Sequence, residues 1–261
     1  MMGMLVRVGL LSLSAAVVFN PAIVAAEDDD IADVASEDLR AGGDEKARYF
    51  LIGANKEAPK DGFGLVVILP GGSGNADFHP FVKRIYKHAI PEGYLAVQPV
   101  AIKWTDDQQV VWPTEKTRVE KMKFSTEQFV ASAIKDVRGK HKLSAKKVFT
   151  LSWSSSGPAA YAISLSDKTV KGSLVAMSVY KPDSLPPLKA AKGQAYYLYH
   201  SPDDNVCPFR MAEQADKELQ KNGAKVKLVK YDGGHGWQGD VYGEIRTGIE
   251  WLEENAGSAK P

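Results

Sequence analysis

The chain alternates between short apolar runs and segments of helical periodicity from residue 64 to its last helix. The run GLVVILP at 64–70 is almost entirely apolar and ends in glycines, whereas ADFHPFVKRIYKHAI at 76–90 repeats its apolar residues at helical spacing. A strand that is buried on both faces gives such a continuous apolar run. Strands that alternate with helices favour a largely parallel sheet. The sequence therefore predicts an α/β fold with a mostly parallel central sheet and helices on both faces.

The same alternation predicts the remaining elements. Further strands are expected at 94–101, 146–152, 171–179, 193–201 and 224–234, and further helices at 125–141, 157–166, 208–223 and 240–257. Ser125 and Gln128 have the spacing of a capping box at the start of one helix. An earlier strand at 47–54 is expected at the edge of the sheet. The stretch 103–124 has no clear periodicity and is expected to arch over the carboxyl ends of the strands.

The N-terminal segment has a different composition. Residues 1–26 contain one basic residue, Arg7, and then an apolar run that ends in small residues. The run is shorter than the roughly 18 to 20 residues of a spanning helix. This pattern predicts a cleaved signal peptide, export to the periplasm or the exterior, and no membrane span in the mature form; an uncleaved anchor is the alternative. Residues 27–47 are acidic with few large apolar side chains, which predicts a flexible leader before a single domain at 48–261.

Charge and cysteine content exclude some classes of protein. The 33 basic and 32 acidic residues nearly cancel, so there is no electrostatic reason to expect a nucleic-acid partner. The single cysteine, Cys207, excludes an intramolecular disulfide. No histidine and glutamate occur at zinc-binding spacing, and we expect neither a metal nor another cofactor.

Four serines occupy five positions in the sequence SWSSSG, at the junction of a predicted strand and a predicted helix. A nucleophile elbow places a serine on such a turn, and the residues two before and two after it must be small. Ser154 has Ser152 and Ser156 at these positions, where they would stand in for spacing glycines. If Ser155 were the nucleophile, Trp153 would occupy one of these two crowded positions. We therefore predict Ser154 as the nucleophile; Ser155, or a serine-rich helix cap without chemistry, are the alternatives.

A glycine-rich turn, LPGGSGN, follows the first buried strand. Backbone N–H groups in such a turn can point at the oxyanion that develops during acyl transfer. We predict that the N–H groups of Gly72 and Ser155 form this oxyanion hole, and that the hydroxyl of Ser155 is not needed. A phosphate-binding loop is less consistent with the sequence, because the lysine of a P-loop does not follow the glycines. A plain tight turn is the other alternative.

Two further loops supply an acid and a base. The segment YHSPDDNVCP contains Asp203 and Asp204, and Asp204 is preferred because it lies four residues before Pro208, which starts the next helix. An acidic surface turn is the alternative. Of the five histidines, only His235 lies in a glycine-rich loop after a strand and late in the chain. The order Ser154, Asp204, His235 predicts a catalytic triad.

These motifs, in this order, resemble the α/β-hydrolase superfamily. SWSSSGPAAYA is similar to the elbow of small carboxylesterases of the phospholipase/carboxylesterase and dienelactone-hydrolase-like branches. HSPDDNVCPF is similar to their acid segment, and DGGHGW to their histidine loop. The resemblance covers residues 64–254 and implies the α/β-hydrolase fold without a large cap domain. The chain departs from the family pattern at four positions. Pro70 stands where many members have histidine, and Ser152, Ser156 and Ser201 stand where the family has glycine.

The resemblance implies a secreted serine hydrolase that cleaves carboxylic esters of small molecules or polymers through an acyl-enzyme. A peptidase of the prolyl-oligopeptidase type and an inactive binding protein on the same fold are the alternatives. A thiol nucleophile at Cys207 is disfavoured, because this residue lies before a helix-starting proline and outside any elbow. Four tryptophans in or beside the predicted active loops are candidate walls of an acyl or aromatic pocket: Trp104, Trp112, Trp153 and Trp237.

Overall fold

An eight-stranded sheet forms the centre of the protein in a computed structural model that describes residues 30–257. Its strands are β1 (Ser36–Arg40), β2 (Arg48–Ile52), β3 (Phe63–Leu69), β4 (Tyr94–Pro99), β5 (Leu143–Trp153), β6 (Gly172–Ala176), β7 (Ala195–His200) and β8 (Lys225–Lys230). Their spatial order is β1-β2-β4-β3-β5-β6-β7-β8. β1 pairs antiparallel with β2 and β2 with β4, whereas all pairs from β4 to β8 are parallel.

Five α-helices cover the sheet on both faces within the described residues. They are α1 (His79–Ala89), α2 (Thr126–Lys140), α3 (Gly157–Ser166), α4 (Arg210–Lys221) and α5 (Val241–Asn255). α1 and α5 pack on one face, and α2, α3 and α4 on the other. The predicted capping box of α2 is present: the Ser125 hydroxyl accepts from the N–H of Gln128, whose side chain accepts from the N–H of Ser125.

The side chains of β3 explain why its sequence is apolar without interruption. Val66 and Ile68 point into the core beneath α1 and α5, whereas Leu65, Val67 and Leu69 point into the core beneath α2 and α3. All five are fully buried. A strand in the middle of a sheet with helices on both faces has no exposed side, so polar residues are excluded from both of its faces.

The structure corrects the predicted N-terminal boundary. Residues 36–40, which we expected in a flexible leader, form β1. An edge strand is held by backbone hydrogen bonds on one side only and tolerates charged side chains, so an acidic segment is compatible with it; Asp38 also forms an ion pair with Arg48 of β2 (2.8 Å). Consequently β2, which we expected at the edge, lies inside the sheet. The predicted signal peptide at 1–26 lies outside the described residues.

The stretch at 103–124, whose sequence has no clear periodicity, contains neither helix nor strand. Trp112 anchors it, because its indole N–H donates to the carbonyl of Pro70 (3.0 Å), directly after β3. This contact brings the stretch to the carboxyl end of the sheet. Between residues 30 and 257, no helix is long and apolar enough to span a bilayer.

Candidate active site

Ser154 lies on the sharp turn that joins β5 to α3. Its φ of +55° is in the left-handed region, where a residue other than glycine is uncommon. Such a strained backbone at a strand-to-helix junction is the geometry of a nucleophile elbow. β5 ends at Trp153, one residue later than predicted, and the turn itself is a short 3-10 helix, Ser154–Ser156.

The flanking serines of the elbow are more than small spacers. The Ser156 hydroxyl is buried, donates to the carbonyl of Leu69 in β3 (2.7 Å) and accepts from the N–H of Trp153 (3.1 Å). The Ser152 hydroxyl donates to the carbonyl of Leu174 in β6 (3.3 Å). Glycine would supply neither bond, so these two departures from the family pattern join the elbow to the strands on either side of β5.

Ser154, His235 and Asp204 lie together at the carboxyl end of the sheet. Ser154 Oγ is 3.0 Å from His235 Nε2, and His235 Nδ1 is 2.8 Å from Asp204 Oδ2. An Nδ1–H that donates to the carboxylate leaves Nε2 free to accept the serine hydroxyl. The structure thus brings the three predicted residues into one chain of hydrogen bonds, and Asp203, the alternative acid, is exposed.

The Asp204 carboxylate is buried but well supplied with hydrogen-bond donors. Its Oδ1 accepts from the N–H groups of Val206 (2.8 Å) and Cys207 (2.7 Å). Burial by itself raises the pKa of the carboxyl, but the N–H of Cys207 and the ring of His235 outweigh this effect, and the pKa lies below its ordinary value. Asp204 therefore stays ionised and orients the His235 ring.

A second histidine, His200, contacts the same carboxylate. Its Nε2 is 2.8 Å from the carbonyl of Cys207 and 3.2 Å from Asp204 Oδ2. Burial lowers the pKa of His200 below its ordinary value, so the ring is neutral at neutral pH. Our sequence interpretation treated His200 only as part of a motif and missed this contact; its position four residues before the acid was the available signal.

The loop that carries His235 is held by a tyrosine that the sequence interpretation also missed. The Tyr231 hydroxyl is 2.9 Å from the carbonyl oxygens of both Gly234 and Gly236, which flank the histidine. Its ring stacks on Tyr199 of β7, with centroids 4.4 Å apart. Burial raises the pKa of Tyr231 to about 12, so the hydroxyl remains a donor throughout the neutral range.

The predicted oxyanion-hole residues lie side by side. Gly72 has a φ of +57°, in a turn closed by the N–H of Gly74 and the carbonyl of Gly71 (3.0 Å). The Ser155 hydroxyl donates to the carbonyl of Gly72 (2.8 Å). We expected from the sequence that this hydroxyl is not needed. The sequence did not reveal its hydrogen bond to Gly72, because no sequence pattern reports which loop lies opposite the elbow. A β-carbon at residue 72 would lie 3.3 Å from the ring of Phe78.

Comparisons with known proteins identify the architecture. No protein-family model and no curated protein matches the chain. Among solved structures, a thermostable esterase superposes with a TM-score of 0.63 at 18% identity, over 87% of this chain and 64% of its own. Esterase 2 of Thermogutta terrifontis, phosphorylated by paraoxon, gives 0.61 at 16% identity, over 87% and 96%. MGS-M1, an α/β hydrolase enzyme from a Medee basin deep-sea metagenome library, gives 0.59 at 12%, over 85% and 97%.

The chain has the α/β-hydrolase fold. The predicted fold class is therefore confirmed, and the elements between residues 30 and 257 include no separate cap domain. The chain spans a little under two thirds of the length of the thermostable esterase.

On this α/β-hydrolase fold, aromatic rings extend from the elbow to the histidine loop. Trp153 lies edge-on to Trp237 (centroids 6.0 Å apart) and to Phe78 and Phe81 (6.0 and 5.7 Å). Trp153 itself is buried in the core, whereas the other three rings are only partly buried. Of the other predicted pocket tryptophans, Trp104 packs against Phe124, and Trp112 packs beside the glycine turn.

Cys207 lies beside Asp204 and His235 but does not have the character of a nucleophile. Burial raises the pKa of its thiol to about 11, so the reactive thiolate is disfavoured at neutral pH. Among the described residues, Asp204, Cys207 and His235 are the one group whose potential ligand atoms lie close enough for a metal, within 4.8 Å of one another. A metal there would compete with the hydrogen bond between His235 and Asp204.

Proposed function

We propose that this protein is a serine hydrolase that cleaves carboxylic esters. The observation that carries the proposal is the chain of hydrogen bonds from Ser154 through His235 to Asp204, which starts on a strained elbow of an α/β-hydrolase fold. Structures named as esterases are among the solved structures with this architecture, which supports the same reaction class.

In the proposed reaction, His235 Nε2 takes the proton of Ser154 as the serine oxygen attacks the acyl carbon. The N–H groups of Gly72 and Ser155 donate hydrogen bonds to the carbonyl oxygen and stabilise its negative charge, an effect worth about 3 kcal/mol per donor in related enzymes. The imidazolium then gives its proton to the leaving alcohol, and an acyl-enzyme on Ser154 remains. Water, activated by the same ring, attacks the acyl carbon and releases the acid.

Asp204 supports this cycle without exchanging a proton. Its lowered pKa keeps it charged, and a charged acceptor at Nδ1 stabilises the imidazolium that forms in each half-reaction. The same hydrogen bond selects the tautomer in which Nε2 faces the serine hydroxyl. The ester is a small molecule or a polymer, with one apolar group against the aromatic rings of Phe78, Phe81 and Trp237.

Turnover of short p-nitrophenyl esters tests the proposal. Ser154→Ala is expected to abolish turnover, whereas Ser144→Ala, at the opposite end of the same strand, is expected to retain it. Dipeptide anilides serve as the competing substrate class. Turnover of anilides without turnover of esters would replace the proposal with a peptidase, and no turnover of either class would favour an inactive binding protein.

We further propose that the protein is exported and that its mature form begins near Glu27. The basic residue, apolar run and small residues of segment 1–26 support this, and the segment lies outside the described residues. N-terminal sequencing of secreted, active protein tests it. An intact Met1 on that material would contradict it.

A further inference from the structure

The hydroxyl of Ser201 joins the two loops that carry the acid and the base. Ser201 is the first residue after β7, where the family pattern has glycine, and it is fully buried. Its Oγ accepts from the N–H of Asp203 (3.2 Å) and from the N–H of Gly234 (3.1 Å). Asp203 directly precedes Asp204, and Gly234 directly precedes His235. Ser201 Oγ therefore binds the backbone N–H of the residue before Asp204 and that of the residue before His235.

The strand pairing of β7 with β8 does not extend into these two loops. The last paired residues of β7 and β8 are His200 and Lys230, so the sheet ladder ends before either loop begins. The histidine loop is also rich in glycines with positive φ, such as Gly233 and Gly236. Glycine allows many backbone conformations, so the position of His235 depends on the few contacts that restrain the loop.

We propose that Ser201 is a positioning residue that sets the separation of Asp204 and His235; the inference rests on the proposed function of these two residues. Glycine at position 201 would have no side-chain acceptor and would leave the N–H groups of Asp203 and Gly234 without this shared partner. The resulting freedom would lengthen the bond between His235 and Asp204. A misplacement of about 1 Å in an active site can lower a rate by roughly a hundredfold.

The effect is expected to be local, because the same loop has a second attachment. The Tyr231 hydroxyl binds the carbonyls on either side of His235, whereas Ser201 binds an N–H. Loss of Ser201 alone leaves the contacts of Tyr231 in place. We therefore expect Ser201 variants to fold and to differ from the wild type mainly at the contact between acid and base.

The test compares Ser201→Ala and Ser201→Gly with a matched control, Ser173→Ala. Ser173 is also fully buried, and its hydroxyl accepts from Thr150 (2.7 Å) within the sheet. Both Ser201 variants are expected to lose roughly ten- to a hundredfold in kcat. Their kcat/KM should reach half its maximum at lower pH, because a more distant carboxylate favours the imidazolium less. Ser173→Ala should lower Tm without moving this midpoint.

An activity-independent measurement separates this inference from the proposed function. The proton between His235 and Asp204 is expected to give a low-field proton resonance at acidic pH. Its absence from the spectrum of His235→Gln would identify it, and it should move or broaden in Ser201→Ala. If the resonance changes while the wild type hydrolyses no ester, the positioning role stands and the proposed function fails. If resonance, kcat and pH midpoint equal those of the wild type, the inference is overturned. Fast amide exchange at Gly234 in the wild type would also overturn it, without any variant.

Discussion

The Ser155 hydroxyl donates a hydrogen bond to the carbonyl of Gly72, 2.8 Å away. The peptide plane before Gly72 is restrained by the turn bond between Gly74 and Gly71, and the plane after it by Ser155. With both planes held, the direction of the Gly72 N–H is determined. The elbow thus orients the proposed oxyanion donor on the neighbouring loop as well as the proposed nucleophile, Ser154.

Removal of this hydroxyl should therefore weaken the oxyanion hole. Ser155→Ala keeps its own N–H but releases the carbonyl of Gly72, and we predict a decrease in kcat of about tenfold, since one oxyanion donor is worth a hundredfold or more. Ser155→Thr, which retains the hydroxyl, should recover most of the loss. Steady-state kinetics on a short ester measures both. Wild-type kcat in Ser155→Ala would show that the original expectation of an expendable side chain was right.

Ser156→Gly tests whether the flanking serines are only spacers. The variant removes the donor to the buried carbonyl of Leu69, and an unsatisfied buried group lowers stability by about 1 to 3 kcal/mol. Urea denaturation gives the free energy of unfolding. Ser144→Ala, which lies in an only partly buried position, should change it little. A variant as stable as the wild type would restore the interpretation of Ser156 as a substitute for glycine.

The two adjacent acids should differ sharply in their effect on rate. Asp204→Asn deprives the His235 ring of its charged partner, and we predict a decrease in kcat of up to about 10⁴-fold with a retained fold. Asp203→Asn should have little effect, because the Asp203 side chain is exposed and the contact with Ser201 Oγ is made by the backbone N–H, which asparagine retains. Kinetics and circular dichroism on both variants check this. A larger loss in Asp203→Asn would mean that the acid is assigned wrongly by one residue.

His200 should make stability depend on pH. Burial lowers its pKa in the folded state, so below about pH 6.5 the unfolded chain binds a proton that the folded protein does not. Stability therefore falls as the pH decreases from about 6.5 towards the folded-state pKa. In His200→Gln this contribution is absent, so the decrease in Tm on acidification should be smaller than in the wild type. An equal decrease in both proteins would show that His200 is protonated without penalty.

Sequence patterns predicted the central sheet and the candidate triad for a common reason: both follow from local signals. The apolar run of β3 and the glycine-rich loop around His235 are visible without any tertiary contact. By contrast, β1 was missed because an edge strand needs only backbone pairing, which an acidic sequence does not reveal. The contact between Ser201 and Gly234 depends on how two separate loops meet beyond the sheet, and no residue spacing encodes that. The contact of His200 with Asp204 lies within one segment, and their spacing of four residues was its available signal.

Covalent labelling decides whether Ser154 is the nucleophile. A fluorophosphonate should react once with the wild-type protein, and peptide mapping by mass spectrometry should place the adduct on Ser154, whose hydroxyl alone among the elbow serines faces His235 Nε2 at 3.0 Å. Ser154→Ala should not be labelled, whereas Ser144→Ala should be labelled like the wild type. An adduct on Ser155, or no adduct on folded wild-type protein, would show that Ser154 is not the nucleophile.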